Sequence, residues 1–381
     1  MRWLVSLTLL LAGPALALTE VTSFGSNPGS LRMFVYEPAN LPANPALVVA
    51  LHGCSQGAAD YVKAGWNTLA DERGFIVLYP QMDANFGCLY WFNASEQSAS
   101  GAEVTSILQM VSKLEATNGV DASRVYVTGL SSGAAMANVL LAVAPEVFSR
   151  GQVLAGVPFK CATDVWSGTS CMSSPPSKSA SQWAALVPST MAPPRVQLWH
   201  GTSDGTVDVA NVDEELKQWA GVNGIDTTAD ATSTLGPATR QAFNDGAGVT
   251  RVEVWKVSNM QHGTPVDPTN GCGTAASYIL DVGVCSAELG ARFFGLFDDV
   301  DAGVPFDAGT EVDAGDVSDA GNVVVDAGST TQDSGVVVPD AGTSNVDAGV
   351  SDSETPPQGC GCTSGPSVLL LAALALLRRA R

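Results

Sequence analysis

Short apolar runs alternate with longer amphipathic segments along most of this 381-residue chain. The apolar runs are rich in β-branched and aromatic residues and predict strands at residues 31–36, 46–51, 75–79, 124–128, 195–200 and 252–257. The second run is almost wholly apolar, as expected for a strand that is buried on both faces. Pro80 is expected to end the third strand.

The amphipathic segments predict helices at residues 103–114, 132–142, 212–219 and 287–296. The first has its apolar residues on one face and is followed by Asn118-Gly119, a helix stop signal. Strands that alternate with helices predict an α/β domain with a mostly parallel sheet and helices on both faces. We expect residues 18–297 to form this one domain.

The turn between the strand at 124–128 and the helix at 132–142 has a distinctive sequence. Gly129-Leu130-Ser131-Ser132-Gly133 has the spacing G-x-S-x-G, which is typical of the nucleophile elbow of α/β-hydrolases. A serine on such a turn stands in strained backbone, and the flanking glycines allow strand and helix to pack closely. The alternative is an ordinary Gly/Ser-rich turn. Residues later in the chain favour Ser131 as a nucleophile.

A serine nucleophile needs a histidine base and an acid that orients the base, and α/β-hydrolases carry them in the order Ser, acid, His. Asp204 lies on the turn after a late predicted strand, where the acid of this fold belongs, with Asp208 and Asp213 as rivals. His262 follows the last predicted strand and is the only histidine after the acid, so we predict that it is the base.

The other two histidines, His52 and His200, are expected to be structural. Each lies at the end of a predicted strand, where its ring can hydrogen-bond to nearby loops.

In the predicted mechanism Ser131 attacks an ester carbonyl, His262 takes its proton, and Asp204 holds the imidazole in the required tautomer. Cys54 follows a strand at the position of the oxyanion loop of this fold. Its backbone N–H and that of Ser132 are therefore the predicted oxyanion donors. Water then hydrolyses the acyl-enzyme, and neither a metal ion nor an organic cofactor is needed.

The first 17 residues predict a secretory signal peptide. Arg2 precedes an apolar run, and Ala15-Leu16-Ala17 has the A-x-A pattern of a cleavage site. The run is too short to span a bilayer. We therefore expect a secreted mature protein that begins near Leu18.

Export permits disulfides, and six cysteines lie in the predicted domain: Cys54, Cys88, Cys161, Cys171, Cys272 and Cys285. Many connectivities are open to six cysteines. Local pairing favours Cys161–Cys171 and Cys272–Cys285, which leaves Cys54–Cys88. A zinc site is the alternative, but the chain contains no C-x-x-C and only three histidines.

The formal charge of −20 comes mostly from residues 298–358. This segment holds 14 acidic residues and no lysine or arginine, and Asp-Ala-Gly recurs at 301, 307, 313, 319, 326, 340 and 347. With little to bury and much like charge, it is expected to be a disordered linker. Its irregular spacing argues against a calcium-binding repeat. The chain has no basic patch, so nucleic acid is not an expected partner.

The last segment, residues 359–381, differs again. Gly359-Cys360-Gly361-Cys362 precedes an apolar run from 367 to 377 and a terminal Arg378-Arg379-Ala380-Arg381. The run is too short for a normal membrane-spanning helix. The combination resembles myxobacterial C-terminal sorting tails, and a weak membrane anchor is the alternative. Both predict a domain attached to the membrane or cell surface by a tether.

Four segments together resemble the esterase/poly(3-hydroxybutyrate) depolymerase family: LHGCSQ at 51–56, GFIVLYP at 74–80, RVYVTGLS at 124–131 and CGTA at 272–275. The resemblance covers most of residues 24–297. More narrowly, it is to extracellular short-chain polyhydroxyalkanoate depolymerases, and feruloyl and acetyl xylan esterases share much of the pattern. It implies an α/β-hydrolase fold, a triad of Ser131, Asp204 and His262, and Cys54 in the oxyanion loop.

Three positions depart from the family pattern. Ser132 stands where such enzymes usually carry alanine, and Gly263-Thr264 follows the histidine where Ala-Trp is common. The segment Cys88-Leu89-Tyr90-Trp91 lacks the first tryptophan of the usual C-W-x-W. The last two changes affect aromatic residues near the site, so they bear on polymer preference more than on catalysis.

Two tryptophans, Trp91 and Trp199, are candidate apolar platforms for substrate, and Trp166 is a candidate for a lid-like loop. The alternative for each is packing in the core.

Three functional hypotheses follow from these observations. The first is a secreted, surface-tethered serine esterase that cleaves short-chain polyhydroxyalkanoate. The second is an esterase that releases feruloyl or acetyl groups from plant polysaccharide. The third is a non-catalytic surface adhesin on a hydrolase scaffold, which predicts a broken triad.

Overall fold

A computed structural model describes residues 18–190 and 192–297. Its strands are β1 (Thr19–Val21), β2 (Arg32–Tyr36), β3 (Leu47–Leu51), β4 (Ile76–Gln81), β5 (Val125–Leu130), β6 (Arg150–Leu154), β7 (Arg195–Gly201), β8 (Ala231–Leu235), β9 (Ala238–Asn244), β10 (Thr250–Val257), β11 (Thr264–Val266) and β12 (Ile279–Asp281). Its α-helices are α1 (Ala58–Tyr61), α2 (Trp66–Arg73), α3 (Ala102–Asn118), α4 (Ser132–Val143), α5 (Val165–Ser173), α6 (Ala180–Ala184), α7 (Ala210–Asn223) and α8 (Ser286–Phe294). The predicted signal peptide, acidic linker and C-terminal tail lie outside the described residues.

One large sheet organises these elements, in the strand order β1-β2-β4-β3-β5-β6-β7-β10-β9-β8. The six central strands run parallel to one another; in spatial order they are β4, β3, β5, β6, β7 and β10. The two edges are antiparallel, with β2 and β1 at one end and β9 and β8 at the other. This is the mostly parallel sheet of the α/β-hydrolase fold that the sequence predicted.

The two faces of the sheet carry separate apolar cores. Along β3, Leu47, Val49 and Leu51 belong to one core, whereas Val48 and Ala50 belong to the other. Helices α3, α4 and α7 cover the first face, and α2 and α8 cover the second. Alternate side chains of a strand point to opposite faces, so a wholly apolar strand such as β3 is one that is buried on both sides.

All six predicted strands are present, but Pro80 does not end the third. Strand β4 continues to Gln81, and Pro80 pairs with Met33 of β2. The hydrogen-bonded ladder between β4 and β3 stops at Leu78. Pro80 lies beyond it, so its missing N–H removes no hydrogen bond to β3.

Four strands of the sheet were missed, and one of them is the three-residue edge strand β1. The edge strands β8 and β9 form an antiparallel hairpin, and much of β8 is exposed to solvent. The central strand β6 is short and carries a buried glutamine, Gln152, whose side chain bonds to neighbouring glutamine and threonine side chains. Neither pattern has the apolar run that marks a buried strand.

Three disulfides join Cys54 to Cys88, Cys161 to Cys171, and Cys272 to Cys285. These are the three predicted pairs, of which two were expected from local spacing and Cys54–Cys88 was the pair that remained. The first ties the loop after β3 to the loop after β4, and the third closes the segment that leads into α8. Within the described residues, no helix combines the length and the apolar character needed to cross a membrane.

We expect a reductant to lower the melting temperature, and Cys54→Ala/Cys88→Ala to be the most destabilised of the three double variants. Its residues are 34 apart in sequence, against 10 and 13 for the other pairs. Loop-closure entropy gives about 4 kcal/mol for the long loop and about 3 kcal/mol for each short one. Urea unfolding of the variants without reductant measures these differences, and unfolding free energies equal to the wild-type value would contradict the prediction.

Candidate active site

The G-x-S-x-G turn joins β5 to α4 and holds Ser131 in an unusual conformation. The serine has φ 57° and ψ −116°, a region that a non-glycine residue occupies only under constraint. A side chain at Gly129 would overlap the backbone of Gly133, and one at Gly133 would overlap the carbonyl oxygen of Leu51. The two glycines are therefore required by the close packing of strand, turn and helix.

Asp204 and His262 meet at the end of the sheet. Asp204 follows β7 and His262 follows β10, and these two strands are parallel neighbours. The Asp204 Oδ2 atom lies 2.7 Å from His262 Nδ1, and the two side chains are 0% and 8% exposed. The other carboxylate oxygen accepts hydrogen bonds from the backbone N–H groups of Thr206 and Val207, at 2.8 and 2.9 Å.

These contacts set the charge of Asp204. Burial alone would raise the pKa of its carboxyl group, but the hydrogen bond and charge of His262 and the two backbone N–H groups hold that pKa below its ordinary value. Asp204 is therefore an ionised acceptor at neutral pH. It can orient the His262 ring and stabilise a positive charge on it.

The sheet brings the nucleophile candidate to the same edge. Ser131, Asp204 and His262 follow β5, β7 and β10, and the carboxyl ends of these parallel strands lie along one edge. The Ser131 N–H donates to Leu154 O of β6, the strand between β5 and β7, at 2.9 Å. The three residues thus follow strands that end along one edge of the sheet.

The loop after β3 closes over the elbow. A Cβ atom placed on Gly53 would lie 3.4 Å from Ser131 Cβ. The Gly53 N–H donates to Gln56 Oε1 at 3.0 Å, whereas the Cys54 N–H has no hydrogen-bond partner among residues 18–190 and 192–297. Ser132 is the first residue of α4, and an N–H in the first helical turn has no partner within the helix. Two backbone donors are thus available beside Ser131.

The remaining histidines are held by structural contacts. His52 Nδ1 bonds to Gly53 O at 2.9 Å, and its Nε2 accepts from the Met82 N–H at 3.1 Å. His200 Nε2 bonds to Val207 O at 2.9 Å and lies 3.5 Å from Asp204 Oδ2. Burial lowers the pKa of both rings, so both are neutral at physiological pH.

The rival acids lie elsewhere. Asp208 Oδ1 accepts from the Ala210 N–H at the start of α7. Asp213 forms a 2.7 Å ion pair with Lys256 and is 52% exposed.

Neither tryptophan proposed as a substrate platform is available at the surface. Trp199 is 1% exposed, stacks on Trp255 at 4.7 Å, and donates its indole N–H to Gln197. Trp91 is 7% exposed and packs edge-on against Phe92. The prediction was wrong for Trp199 because β7 is buried on both faces, so its ring lies in the core. Trp166 is 64% exposed, but it lies on α5 and not on a loop.

Sequence analysis missed the buried network behind the elbow. Asn138 of α4 donates to Val157 O at 2.8 Å and to Glu215 Oε1 at 2.6 Å, and accepts from the Trp219 indole at 2.9 Å. Burial raises the pKa of Glu215 to about 8. A signal was present, because Glu215 lies three residues after Val212 and four before Trp219, on the apolar face of α7.

Among the described residues, no group of three or more histidine, cysteine, aspartate or glutamate side chains is arranged to hold a metal ion.

Comparison with known proteins gives consistent matches. A sequence model of the family described as esterase PHB depolymerase matches residues 30–242. Poly(3-hydroxyalkanoate) depolymerase C of Paucimonas lemoignei is 43% identical over 291 residues, which cover 74% of this chain and 70% of that protein. Feruloyl esterase B of Talaromyces funiculosus is 34% identical over 281 residues, with 70% and 77% coverage. A solved structure, the acetyl xylan esterase from Aspergillus awamori, aligns with a TM-score of 0.64 and 28% identity, covering 74% of this chain and all of that chain.

The raised pKa of Glu215 predicts that stability falls as pH rises. The folded protein keeps this proton up to a pKa of about 8, whereas the ordinary value is 4.5. Between these values the folded state binds more protons than the unfolded state, so the unfolding free energy decreases with pH. Its contribution is fully present only below the ordinary value.

Glu215→Gln keeps an oxygen acceptor for Asn138 and cannot ionise, so we expect it to flatten this decrease. Urea unfolding at several pH values between 5 and 8 measures the slope. Glu288→Gln, at an exposed position on α8, is the matched control and should retain the wild-type slope. Parallel profiles for the wild type and Glu215→Gln would contradict the prediction.

Proposed function

The chain belongs to the esterase PHB depolymerase family and is a serine carboxylic-ester hydrolase, and on that premise we propose that it cleaves short-chain polyhydroxyalkanoate, such as poly(3-hydroxybutyrate), through an acyl-enzyme. The substrate class is supported by the 43% identity to a poly(3-hydroxyalkanoate) depolymerase. The observation that carries the mechanism is the 2.7 Å contact between Asp204 and His262, at the sheet edge where Ser131 is held in strained backbone.

Acylation begins at Ser131. Its hydroxyl oxygen attacks the ester carbonyl while His262 Nε2 takes the hydroxyl proton. The Nδ1–H of His262 donates to Asp204, which fixes the tautomer that leaves Nε2 free to act as the base. His262 then gives the proton to the leaving alcohol, and water hydrolyses the acyl-enzyme by the same steps in reverse.

The negative charge that develops on the carbonyl oxygen is received by the backbone N–H groups of Cys54 and Ser132. One such donor typically lowers the barrier by about 3 kcal/mol. The Cys54–Cys88 disulfide and the hydrogen bond from Gly53 to Gln56 fix the loop that carries the first donor. Both donors are thus positioned before substrate binds, so little reorganisation is needed during reaction.

The location proposed for this activity is outside the cell. Residues 1–17 act as the export signal, residues 18–297 form the catalytic domain, residues 298–358 are the linker and residues 359–381 are the surface-sorting tail. Three disulfides in the catalytic domain support export, because such bonds persist in oxidising compartments.

A second candidate is an esterase that acts on plant polysaccharide. It is supported by the likeness to a feruloyl esterase and by the structural alignment with an acetyl xylan esterase. The two candidates share the same catalytic residues and differ in the ester that binds.

We expect a fluorophosphonate to label the wild-type protein covalently on Ser131, and we expect no label on Ser131→Ala. Intact mass and peptide mapping identify the modified residue. Absence of label on the folded wild-type protein would overturn the esterase proposal and would favour the non-catalytic adhesin.

Asp204→Asn should reduce kcat on a soluble ester by roughly 10³–10⁴-fold, because an amide cannot hold His262 in the required tautomer. Asp213→Asn is the matched control, since it makes the same change in an exposed acid that was a rival for this role. The two variants should differ in kcat while both fold. Equal activity would remove Asp204 from the catalytic assignment.

Turnover on three substrates separates the two candidate functions. We expect release of soluble hydroxyacids from poly(3-hydroxybutyrate) film at a rate well above the release of acetate from acetylated xylan or of ferulate from methyl ferulate. Cleavage of xylan acetate or ferulate alone would support the second candidate and exclude the first.

A further inference from the structure

A polar cavity of about 270 Å³ opens beside the catalytic residues. It is lined by Ser55, Gln56, Asp60, Lys63, Ser277 and Tyr278, with Ala276 as the apolar member. Lys63 is the cation in this lining. Of these side chains, the mechanism proposed above uses only that of Gln56, which accepts the hydrogen bond from Gly53.

Two lining residues, Gln56 and Tyr278, connect the cavity to the site. On one side, Gln56 accepts a hydrogen bond from the Gly53 N–H, next to Ser131. On the other side, the Tyr278 ring packs edge-on against the His262 ring, with 6.0 Å between centroids. Gln56 also donates to Ser277 O at 3.2 Å, which joins the two walls.

The position of Tyr278 assigns the cavity to one side of the scissile ester. His262 must touch the leaving oxygen in order to protonate it. The alcohol part of the substrate therefore lies next to His262. Tyr278 contacts the His262 ring and also lines the cavity. A leaving group longer than methanol or ethanol enters this space.

The free hydrogen-bonding groups of the cavity are three hydroxyl groups and one ammonium group, and each of them can donate. Within the described residues, the hydroxyl groups of Ser55, Ser277 and Tyr278 bond to no other protein group. Asp60 Oδ2 is already occupied by the Gly57 N–H at 3.1 Å. Lys63 Nζ lies 3.8 Å from Asp60 Oδ1, which is an ion pair but too long for a hydrogen bond, so its three N–H donors remain available.

These donors fit the chemistry of a polyester chain. Each hydroxyacyl unit carries carbonyl and ester oxygens, which only accept hydrogen bonds.

The wall that carries Tyr278 is firmly positioned. The Thr264 N–H donates to Tyr278 O at 2.8 Å. Strand β11, which begins at Thr264, pairs with β12, which begins one residue after Tyr278. A side chain at Gly263 would lie 2.8 Å from Leu280 Cγ and 2.9 Å from Tyr278 O. The absence of a side chain at residue 263 is thus what lets this wall approach His262.

We propose that this cavity is the subsite for the alcohol side of the scissile ester, and that the Lys63 ammonium group donates to the carbonyl or terminal carboxylate oxygen of the next hydroxyacyl unit. The inference rests on the polyhydroxyalkanoate function proposed above and adds the residue that selects its leaving group. Lys63 acts here in binding and specificity and takes no part in proton transfer.

The test compares kcat/KM for three esters in the wild type and Lys63→Met. The leaving alcohol of the 3-hydroxybutyrate dimer carries a carboxylate, and that of its methyl ester carries an ester carbonyl. The leaving group of p-nitrophenyl butyrate carries neither. We expect the ratio of kcat/KM for each dimer to that for p-nitrophenyl butyrate to fall about ten-fold, as loss of one hydrogen bond to a charged donor implies. A larger fall for the free acid than for its methyl ester identifies the terminal carboxylate as the main acceptor.

Lys113→Met is the matched control, because Lys113 is also a half-buried lysine but lines a separate cavity on α3. Its ratios should equal the wild-type ratios. Tyr278→Phe supplies a second test, since it keeps the ring against His262 and removes only the hydroxyl donor. It should lower the same ratios by a smaller factor.

Each result bears on a different proposal. Hydrolysis of p-nitrophenyl butyrate with unchanged ratios in both Lys63→Met and Tyr278→Phe would overturn the subsite assignment and leave the esterase function intact. Failure of the wild-type protein to hydrolyse any of the three esters would overturn the function itself. Melting temperatures of the variants identify any ratio change that comes from misfolding.

Discussion

The close approach of Gly133 to the carbonyl oxygens of Leu51 and His52 is the constraint on which the site depends. No side chain fits between them, so the first turn of α4 lies directly against the loop after β3. This contact places Ser131 next to the loop that carries the proposed oxyanion donor Cys54, and it holds the serine in its strained backbone conformation. Such strain typically costs about 1–3 kcal/mol, and it persists because strand, turn and helix are all fixed by the packing around them.

The buried network at Asn138 holds α4 in that position. The two amide N–H groups of Asn138 donate to the backbone carbonyl of Val157 and to Glu215 of α7. Its amide oxygen accepts from the indole N–H of Trp219, also on α7. A fully bonded polar group of this kind specifies one arrangement of two helices more sharply than apolar contacts alone. Glu215 keeps its proton at neutral pH, so the network avoids the large cost of burying an unpaired charge.

The sequence was sufficient for those features that leave a local pattern. Six strands, the elbow and the order of Ser131, Asp204 and His262 each appear as a run, a spacing or a position after a strand. The orientation of a tryptophan in a strand buried on both faces leaves no such pattern. Trp199 lies directly opposite Trp255 in the register of β7 and β10, and the two rings stack on each other inside the core. Strand β6 was missed for a related reason, because the buried Gln152 interrupts its apolar run.

In the proposed mechanism, catalysis and substrate selection draw on different parts of the fold. The sheet edge carries the proposed nucleophile, acid and base, whereas the wall next to His262 comes from the segment closed by Cys272 and Cys285. That segment contacts the site through Tyr278 and contributes no strand to the main sheet. Its sequence can therefore change without moving the triad. Such an arrangement allows relatives of one fold to be named for polyester, feruloyl and acetylxylan substrates.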